Sequence, residues 1–157
     1  MKLRPVTTLN GERTYCGPSV ISAVTGFPVA IICKVINRHR LAKGLGHTKI
    51  HVGGTYFPEV NACLKHYGFE AVPTEMNVPL THNGNKPTIA RWIKQRTDRN
   101  ELNLIEAGNH WQLIKGVKFV DSFTKVPVFI RKAPHRCARV NRVWEIIRCG
   151  KRRIYRP

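Results

Sequence analysis

Apolar residues in the first half of the chain recur at helical spacing. Val20, Ile21, Ala23 and Val24 form one face of a short helix, which Gly17-Pro18 opens and Gly26 ends. The same spacing predicts further helices at residues 29–41, at 56–67 with Thr55 as N-cap, and at 88–96. We expect the second and third helices to pack around the first.

The second half changes to the shorter period of β-strands. A first strand is predicted at residues 69–72, followed by a long loop at 73–87 with three prolines. The remaining strands are predicted at 102–106, 111–114, 117–120, 126–130, 143–148 and 153–155. Helices followed by an antiparallel sheet are typical of an α+β fold. A length of 157 residues with 42% hydrophobic content suits one domain spanning 1–157.

Neither a signal peptide nor a membrane span is predicted from the sequence. The N-terminus lacks the apolar stretch of a signal peptide, and no uncharged apolar run approaches the roughly 20 residues of a membrane span. We therefore expect a soluble, cytoplasmic protein. Its five cysteines are an odd number without a Cys-x-x-Cys pair, which argues against a disulfide scaffold. Cys33 and Cys63 lie on apolar helical stripes and are predicted to be buried.

The net charge of +18 indicates an anionic partner. Residues 131–157 contain ten Lys and Arg and a single acid, Glu145, so this segment alone carries +9. Trp144 and Tyr155 alternate with its arginines, a pattern that suits base stacking as well as phosphate contacts. One hypothesis is therefore a nucleic-acid- or polyanion-binding protein. The same charge would also favour an acidic peptide or protein substrate.

Cys16 stands where the first predicted helix begins, and this position favours a thiolate. A helix N-terminus stabilises an anion by about 0.3–1 kcal/mol, and by up to about 2 kcal/mol when partly buried. An ordinary thiol has a pKa of about 8.5, and the helix dipole lowers this pKa by at most about one and a half units. A nucleophilic cysteine therefore needs a histidine as well.

Residues 108–122 supply that histidine in a predicted β-hairpin. With a two-residue turn at Lys115-Gly116, Ile114 faces Val117, and His110 lies directly opposite Asp121. Directly opposed side chains have Cβ atoms about 4.5–5.5 Å apart, so the carboxylate can orient the imidazole. A glycine bulge would displace this register by one residue.

These residues together resemble the papain-like cysteine peptidase superfamily. The resemblance is carried by Tyr15-Cys16-Gly17-Pro18-Ser19 at a helix start and by a later Gly-Asn-His-Trp hairpin that ends at Asp121-Ser122. It is closest to the bacteriocin-processing peptidase-like group and extends over residues 10–130. It implies N-terminal helices packed on a C-terminal antiparallel sheet, which residues 131–157 complete or extend.

The resemblance also implies acyl transfer on a peptide, isopeptide or thioester bond. Cys16 would attack the carbonyl, His110 would shuttle the proton, and Asp121 would hold the imidazole. The family places an amide side chain upstream, usually glutamine, which shares the oxyanion with the nucleophile's backbone N–H. This chain has Asn10 there, six residues before Cys16. The alternative is a basic binding protein on a catalytically inactive papain-like fold.

No cofactor or metal is predicted. His47-x-x-x-His51 has no third ligand nearby in the sequence, and His135-x-Cys137 lacks the spacing of structural zinc sites. No glycine-rich phosphate loop follows a strand, which removes nucleotide chemistry from the hypotheses. A small, very basic, single-domain peptidase suits a bacteriophage or a small bacterial system.

Overall fold

A six-stranded antiparallel sheet forms the centre of the protein. The computed structural model describes residues 1–8, 15–44, 52, 54–75, 78, 80–96 and 100–150. Their helices are α1 (Cys16–Thr25), α2 (Val29–Ala42), α3 (Phe57–His66) and α4 (Ile89–Gln95), with a 3-10 turn at Ile130–Lys132. Their strands are β1 (Phe69–Glu75), β2 (Leu102–Ala107), β3 (His110–Lys115), β4 (Lys118–Val120), β5 (Val128–Phe129) and β6 (Val140–Arg148). The predicted α+β class is confirmed.

The strands lie in the order β1-β6-β2-β3-β4-β5. The last strand thus enters between β1 and β2, where Trp144 pairs with Leu104 on one side and Pro73 on the other. Only 1% of the Trp144 surface is exposed, so the prediction that this residue stacks on bases is wrong. Tyr155 and the predicted strand at 153–155 lie outside the described residues.

The two faces of the sheet bury different sets of side chains. Leu104, Leu113 and Trp144 belong to a core that includes residues of α1, α2 and α3, whereas their neighbours Ile105, Ile114 and Val143 belong to a second core with α4. This alternation follows from the two-residue period of strands. The described elements therefore form three layers, with the sheet in the middle.

Helix α1 is the central helix of the first layer. It contacts α2, α3 and β3, which confirms that the second and third helices pack around the first. The residues from Gly17 to Val24 are all buried. Gly26 ends the helix in the left-handed conformation (φ 84°), as predicted, and its N–H donates to the Ser22 carbonyl at 2.7 Å. Helix α1 therefore packs against β3, the strand that begins at His110.

The start of α3 differs from the prediction. Its N-cap is Tyr56 instead of Thr55, and the Glu59 carboxylate accepts the Tyr56 N–H at 2.8 Å. Arg40 of α2 holds that carboxylate through a 2.6 Å ion pair. Because a side chain from the next turn satisfies the helix start, Thr55 is not needed as a cap and lies instead against Gly17.

The hairpin of β3 and β4 turns one residue later than predicted. Lys115 pairs with Lys118 and Ile114 with Phe119, so the turn residues are Gly116 and Val117. Gly116 has φ 61°, the positive value that a type II′ turn requires at its first central residue. Continuing this register places Asp121 opposite Gln112 instead of His110. The pairing partner of Asp121 thus shifts by two residues along β3. Because only an odd shift moves a side chain to the other face of the sheet, Asp121 and His110 remain on the same face, as predicted.

Three other boundaries moved. Strand β1 continues through Pro73, which an edge strand tolerates, so the predicted loop at 73–87 starts too early. The strand predicted at 126–130 is reduced to β5 and followed by the 3-10 turn, while β6 begins three residues before residue 143.

Among the described residues, no single helix is long and apolar enough to cross a membrane; α1 and α2 reach that length only jointly, across a 114° bend.

Candidate active site

Cys16 is the first residue of α1, as predicted, and its thiol is partly exposed. Partial burial opposes the charged form of the thiol. A side-chain hydrogen bond with His110, backbone N–H groups of Trp111 and Gly17, and the charge of His110 outweigh that penalty and lower the pKa of Cys16. The helix start therefore supplies only part of the activation, and the histidine supplies more.

His110 is positioned by the tight turn between β2 and β3. Gly108 and Asn109 both have φ 57°, the pattern of a type I′ turn, and Ala107 pairs with His110 directly after it. The His110 Nε2 atom lies 3.1 Å from Asp121 Oδ2. Burial lowers the pKa of this imidazole, but hydrogen bonds with Asp121 and Cys16, together with their charges, raise it to about 9.

Asp121 follows β4 and is completely buried. Its Oδ1 atom accepts the backbone N–H groups of Phe123 and Thr124, both at 2.9 Å, and the Thr124 hydroxyl accepts the N–H of Asp121 at 3.2 Å. Burial raises the pKa of the carboxyl, while the hydrogen bonds from His110, Thr124 and Phe123 and the charge of His110 lower it overall. The carboxylate is therefore held with one oxygen on the backbone and the other on His110.

The structure thus brings Cys16, His110 and Asp121 into one hydrogen-bonded line. Because Asp121 engages Nε2, the nitrogen left for the thiol is Nδ1. The directions of the three pKa shifts favour a thiolate beside an imidazolium at neutral pH. Asn10, the predicted side-chain donor to the oxyanion, lies outside the described residues.

Gly17 allows the loop before α3 to approach the nucleophile. A Cβ atom at residue 17 would stand 1.9 Å from Thr55 Oγ1 and 2.9 Å from Thr55 Cβ. The Thr55 carbonyl accepts the indole N–H of Trp111 at 3.0 Å, so the loop is also tied to β3 next to His110. Thr55 therefore joins the two elements that carry the thiol and the imidazole.

We expect Gly17→Ala to lower the free energy of unfolding by about 1–3 kcal/mol, because the added methyl displaces Thr55. The gain in helix propensity, about 1 kcal/mol, only partly offsets this overpacking. Urea unfolding measures the change. Gly150→Ala is the matched control, since nothing lies within 4 Å of a Cβ there. Equal stability of the two variants would contradict the tight contact.

A groove of about 260 Å³ extends from His110 across the end of the sheet where β2 ends and β3 and β6 begin. Its lining comes from the loop before α3, the β2–β3 turn and β6, and consists of Thr55, Tyr56, Phe57, Glu106, Asn109, His110, Trp111 and Arg142. Two cavities of larger volume, about 760 and 490 Å³, contain none of the three site residues. Among these three cavities of the described residues, the groove is the one that reaches His110, and Cys16 is not part of its lining.

Two aromatic neighbours of His110 were not found from the sequence. The Phe123 ring centroid lies 5.2 Å from that of His110, and the His135 centroid lies 5.4 Å from it. Phe123 and His135 also contact each other, at 4.8 Å. They come from the turn after β4 and the segment before β6, and no motif or spacing in the sequence links them to His110.

The other four cysteines provide comparisons for Cys16. None of the five forms a disulfide, and Cys33 and Cys63 are buried, as predicted. Burial, followed by the charge of Cys33, raises the pKa of Cys63 to about 12, so this thiol is unreactive at neutral pH. Cys137 is exposed and provides an internal reference for the reactivity of Cys16.

Neither family models, nor curated proteins, nor solved structures gave a match to this chain. What the site can do must therefore be inferred from its own geometry. That geometry combines a thiol with a lowered pKa, a histidine hydrogen-bonded to it, and a buried carboxylate behind the histidine. This is the arrangement that nucleophilic catalysis by cysteine requires.

Proposed function

We propose that this protein is a cysteine hydrolase of papain-like type, acting by acyl transfer on a peptide, isopeptide or thioester bond. The observation that carries the proposal is the continuous line of hydrogen bonds from Cys16 through His110 to Asp121, with the thiol at a helix N-terminus. Two features support the papain-like resemblance. Most helices precede the antiparallel sheet along the chain, and the site residues follow the order Cys16, His110, Asp121.

In the proposed reaction, the Cys16 thiolate attacks the substrate carbonyl and forms a carbon–sulfur bond. As the bond to the leaving group breaks, the His110 imidazolium gives its Nδ1 proton to that group. A water molecule then attacks the thioester and gives a proton to His110, and the thiolate departs. Asp121 keeps the ring oriented through Nε2 and stabilises its charged form throughout.

Charge that develops on the substrate oxygen needs hydrogen-bond donors. The first N–H groups of α1 have no acceptor within the helix, so the Cys16 N–H is our proposed first donor. Asn10 remains the proposed second donor. Because its side chain is shorter than the glutamine usual in the family, the segment that carries Asn10 would have to approach α1 closely.

The groove carries both signs of charge. Glu106 and Arg142 face each other at 3.9 Å, and Tyr56 is 78% exposed at its rim. We propose a peptide or protein substrate that lies along this groove. The surrounding excess of positive charge would favour acidic segments outside the reacting bond.

The proposal predicts that iodoacetamide at pH 7 modifies Cys16 at least about threefold faster than Cys137, although Cys137 is the more exposed thiol. A lowered pKa increases the thiolate fraction by more than it reduces the nucleophilicity of that thiolate. Peptide mass spectrometry of one labelled sample measures both rates, so Cys137 controls for reagent and pH.

Cys16 reacting no faster than Cys137 would contradict the proposal. That result would favour the second candidate, a polyanion-binding protein on an inactive fold of the same type. This candidate is supported by Arg131, Lys132, Arg136, Arg139, Arg142 and Arg148, which are all exposed. The burial of Trp144 removes one of its two stacking residues, and for this reason we place it second.

A further inference from the structure

Three side chains that could ligate a metal ion lie close together at the candidate site. One nitrogen each of His110 and His135 and one carboxylate oxygen of Asp121 lie within 4.8 Å of one another. The three residues come from the start of β3, the turn after β4 and the segment before β6. Two of them belong to the proposed catalytic site, whereas nothing in the proposed reaction uses His135.

We propose that His110, Asp121 and His135 bind a zinc ion, and that this ion switches off the cysteine hydrolase. The zinc site follows from the geometry alone, whereas the inhibitory effect rests on the proposed function. Two imidazoles and one carboxylate are a ligand set that Zn²⁺ accepts in proteins, with water in the fourth position. Mg²⁺ and Ca²⁺ prefer oxygen ligands and fit this set poorly.

The distances require a modest contraction around the ion. Zinc–nitrogen and zinc–oxygen bonds of about 2.0–2.2 Å place tetrahedral ligand atoms about 3.3 Å apart. His110 Nε2 and Asp121 Oδ2 already lie 3.1 Å apart. Most of the contraction therefore falls on His135, which lies in a surface turn and is only partly buried.

Asp121 is well suited to anchor the ion. Its second oxygen is held by two backbone N–H groups, which fix the carboxylate while the first oxygen faces His110. Hydrogen bonds to ligating groups of this kind orient the ligands of metal sites. Phe123 packs on both histidine rings and covers one side of the cluster.

Zinc on Nε2 would block the base without touching the thiol. A neutral imidazole that gives its Nε2 lone pair to a metal carries its proton on Nδ1, the nitrogen that faces Cys16. Such an imidazole is a much weaker acid than imidazolium and has no free lone pair, so it can neither protonate the leaving group nor accept a proton from water. The metal would also occupy the carboxylate oxygen that orients His110.

Calorimetric titration of zinc into Cys16→Ser tests the site, because this variant removes the thiol as a competing ligand. We expect Cys16→Ser/His135→Ala to bind zinc at least about tenfold more weakly than Cys16→Ser itself. The matched control is Cys16→Ser/His82→Ala, which removes an exposed histidine and should bind like Cys16→Ser. Circular dichroism checks that the variants are folded. Equal zinc affinity with and without His135 would overturn the proposal.

The inhibitory effect is tested with the native thiol. We expect zinc to slow hydrolysis of p-nitrophenyl acetate by the unsubstituted protein, with a fold-reduction at least about tenfold larger than in His135→Ala, each compared with the same variant in chelator. Equal slowing in both would show that zinc binds Cys16 directly and would overturn the inhibitory mechanism. If Cys16 is unreactive but zinc affinity still depends on His135, the proposed function fails and the zinc site stands.

Discussion

Replacing His110 with alanine is expected to slow the alkylation of Cys16 at pH 7 by at least about tenfold. The hydrogen bond and charge of His110 are two of the causes that lower the pKa of the thiol. Without them, the remaining burial favours the neutral thiol, so we expect the pKa of Cys16 to rise. The alkylation rate of Cys137 in the same sample is the internal reference.

The pH dependence of the alkylation rate distinguishes a raised pKa of Cys16 from a change in the access of the reagent to its thiol. In the unsubstituted protein, the rate should rise with pH through the lowered pKa of Cys16 and change again near pH 9, where the imidazolium loses its proton. In His110→Ala, one rise at higher pH should remain. If His110→Ala lowered the alkylation rate by the same factor at every pH, the substitution would have changed the access of the reagent. That result would contradict the role of His110 as base.

Two substitutions of Asp121 are expected to separate its structural role from its chemical one. Asp121→Ala leaves the N–H groups of Phe123 and Thr124 buried without their acceptor and His110 without its partner. We expect a loss of about 2–5 kcal/mol in the free energy of unfolding, measured with urea at pH 7. Asp121→Asn retains an oxygen for the two N–H groups and should lose less than about 2 kcal/mol.

Asp121→Asn should nevertheless slow alkylation of Cys16 about as much as His110→Ala does. With its oxygen held by the backbone, the asparagine presents its NH₂ group to Nε2, which places the imidazole proton on Nδ1 and removes the base. An Asp121→Asn variant with the unsubstituted alkylation rate would contradict this orienting role.

The contribution of Asp121 to stability should also depend on pH. Its folded-state pKa is lowered, so its stabilising effect is present above the unfolded value near 3.8 and is lost as the pH falls further through the folded value. The difference in stability between the unsubstituted protein and Asp121→Asn should therefore shrink in acid. A constant difference down to pH 2 would show that the charge of Asp121 does not contribute.

Local patterns in the sequence determined the helices, most of the strands and the place of Cys16. Periods of 3.6 and 2 residues and the positions of glycine and proline act within a few residues, so they need no tertiary contacts. They identified α1 with its start at Cys16 and its end at Gly26, and they placed His110 beside a strand. The α+β class follows from the order of these elements.

Tertiary structure decided which residues meet. The insertion of β6, which buries Trp144, and the contact of Thr55 with Gly17 each depend on partners distant in the sequence. The approach of His135 to His110 depends on the path of the chain before β6. Such contacts are set by the packing of whole layers, which local propensities hardly determine. The sequence by itself thus predicted a cysteine, a base and its orienter, whereas the fold decided their geometry and added the second histidine.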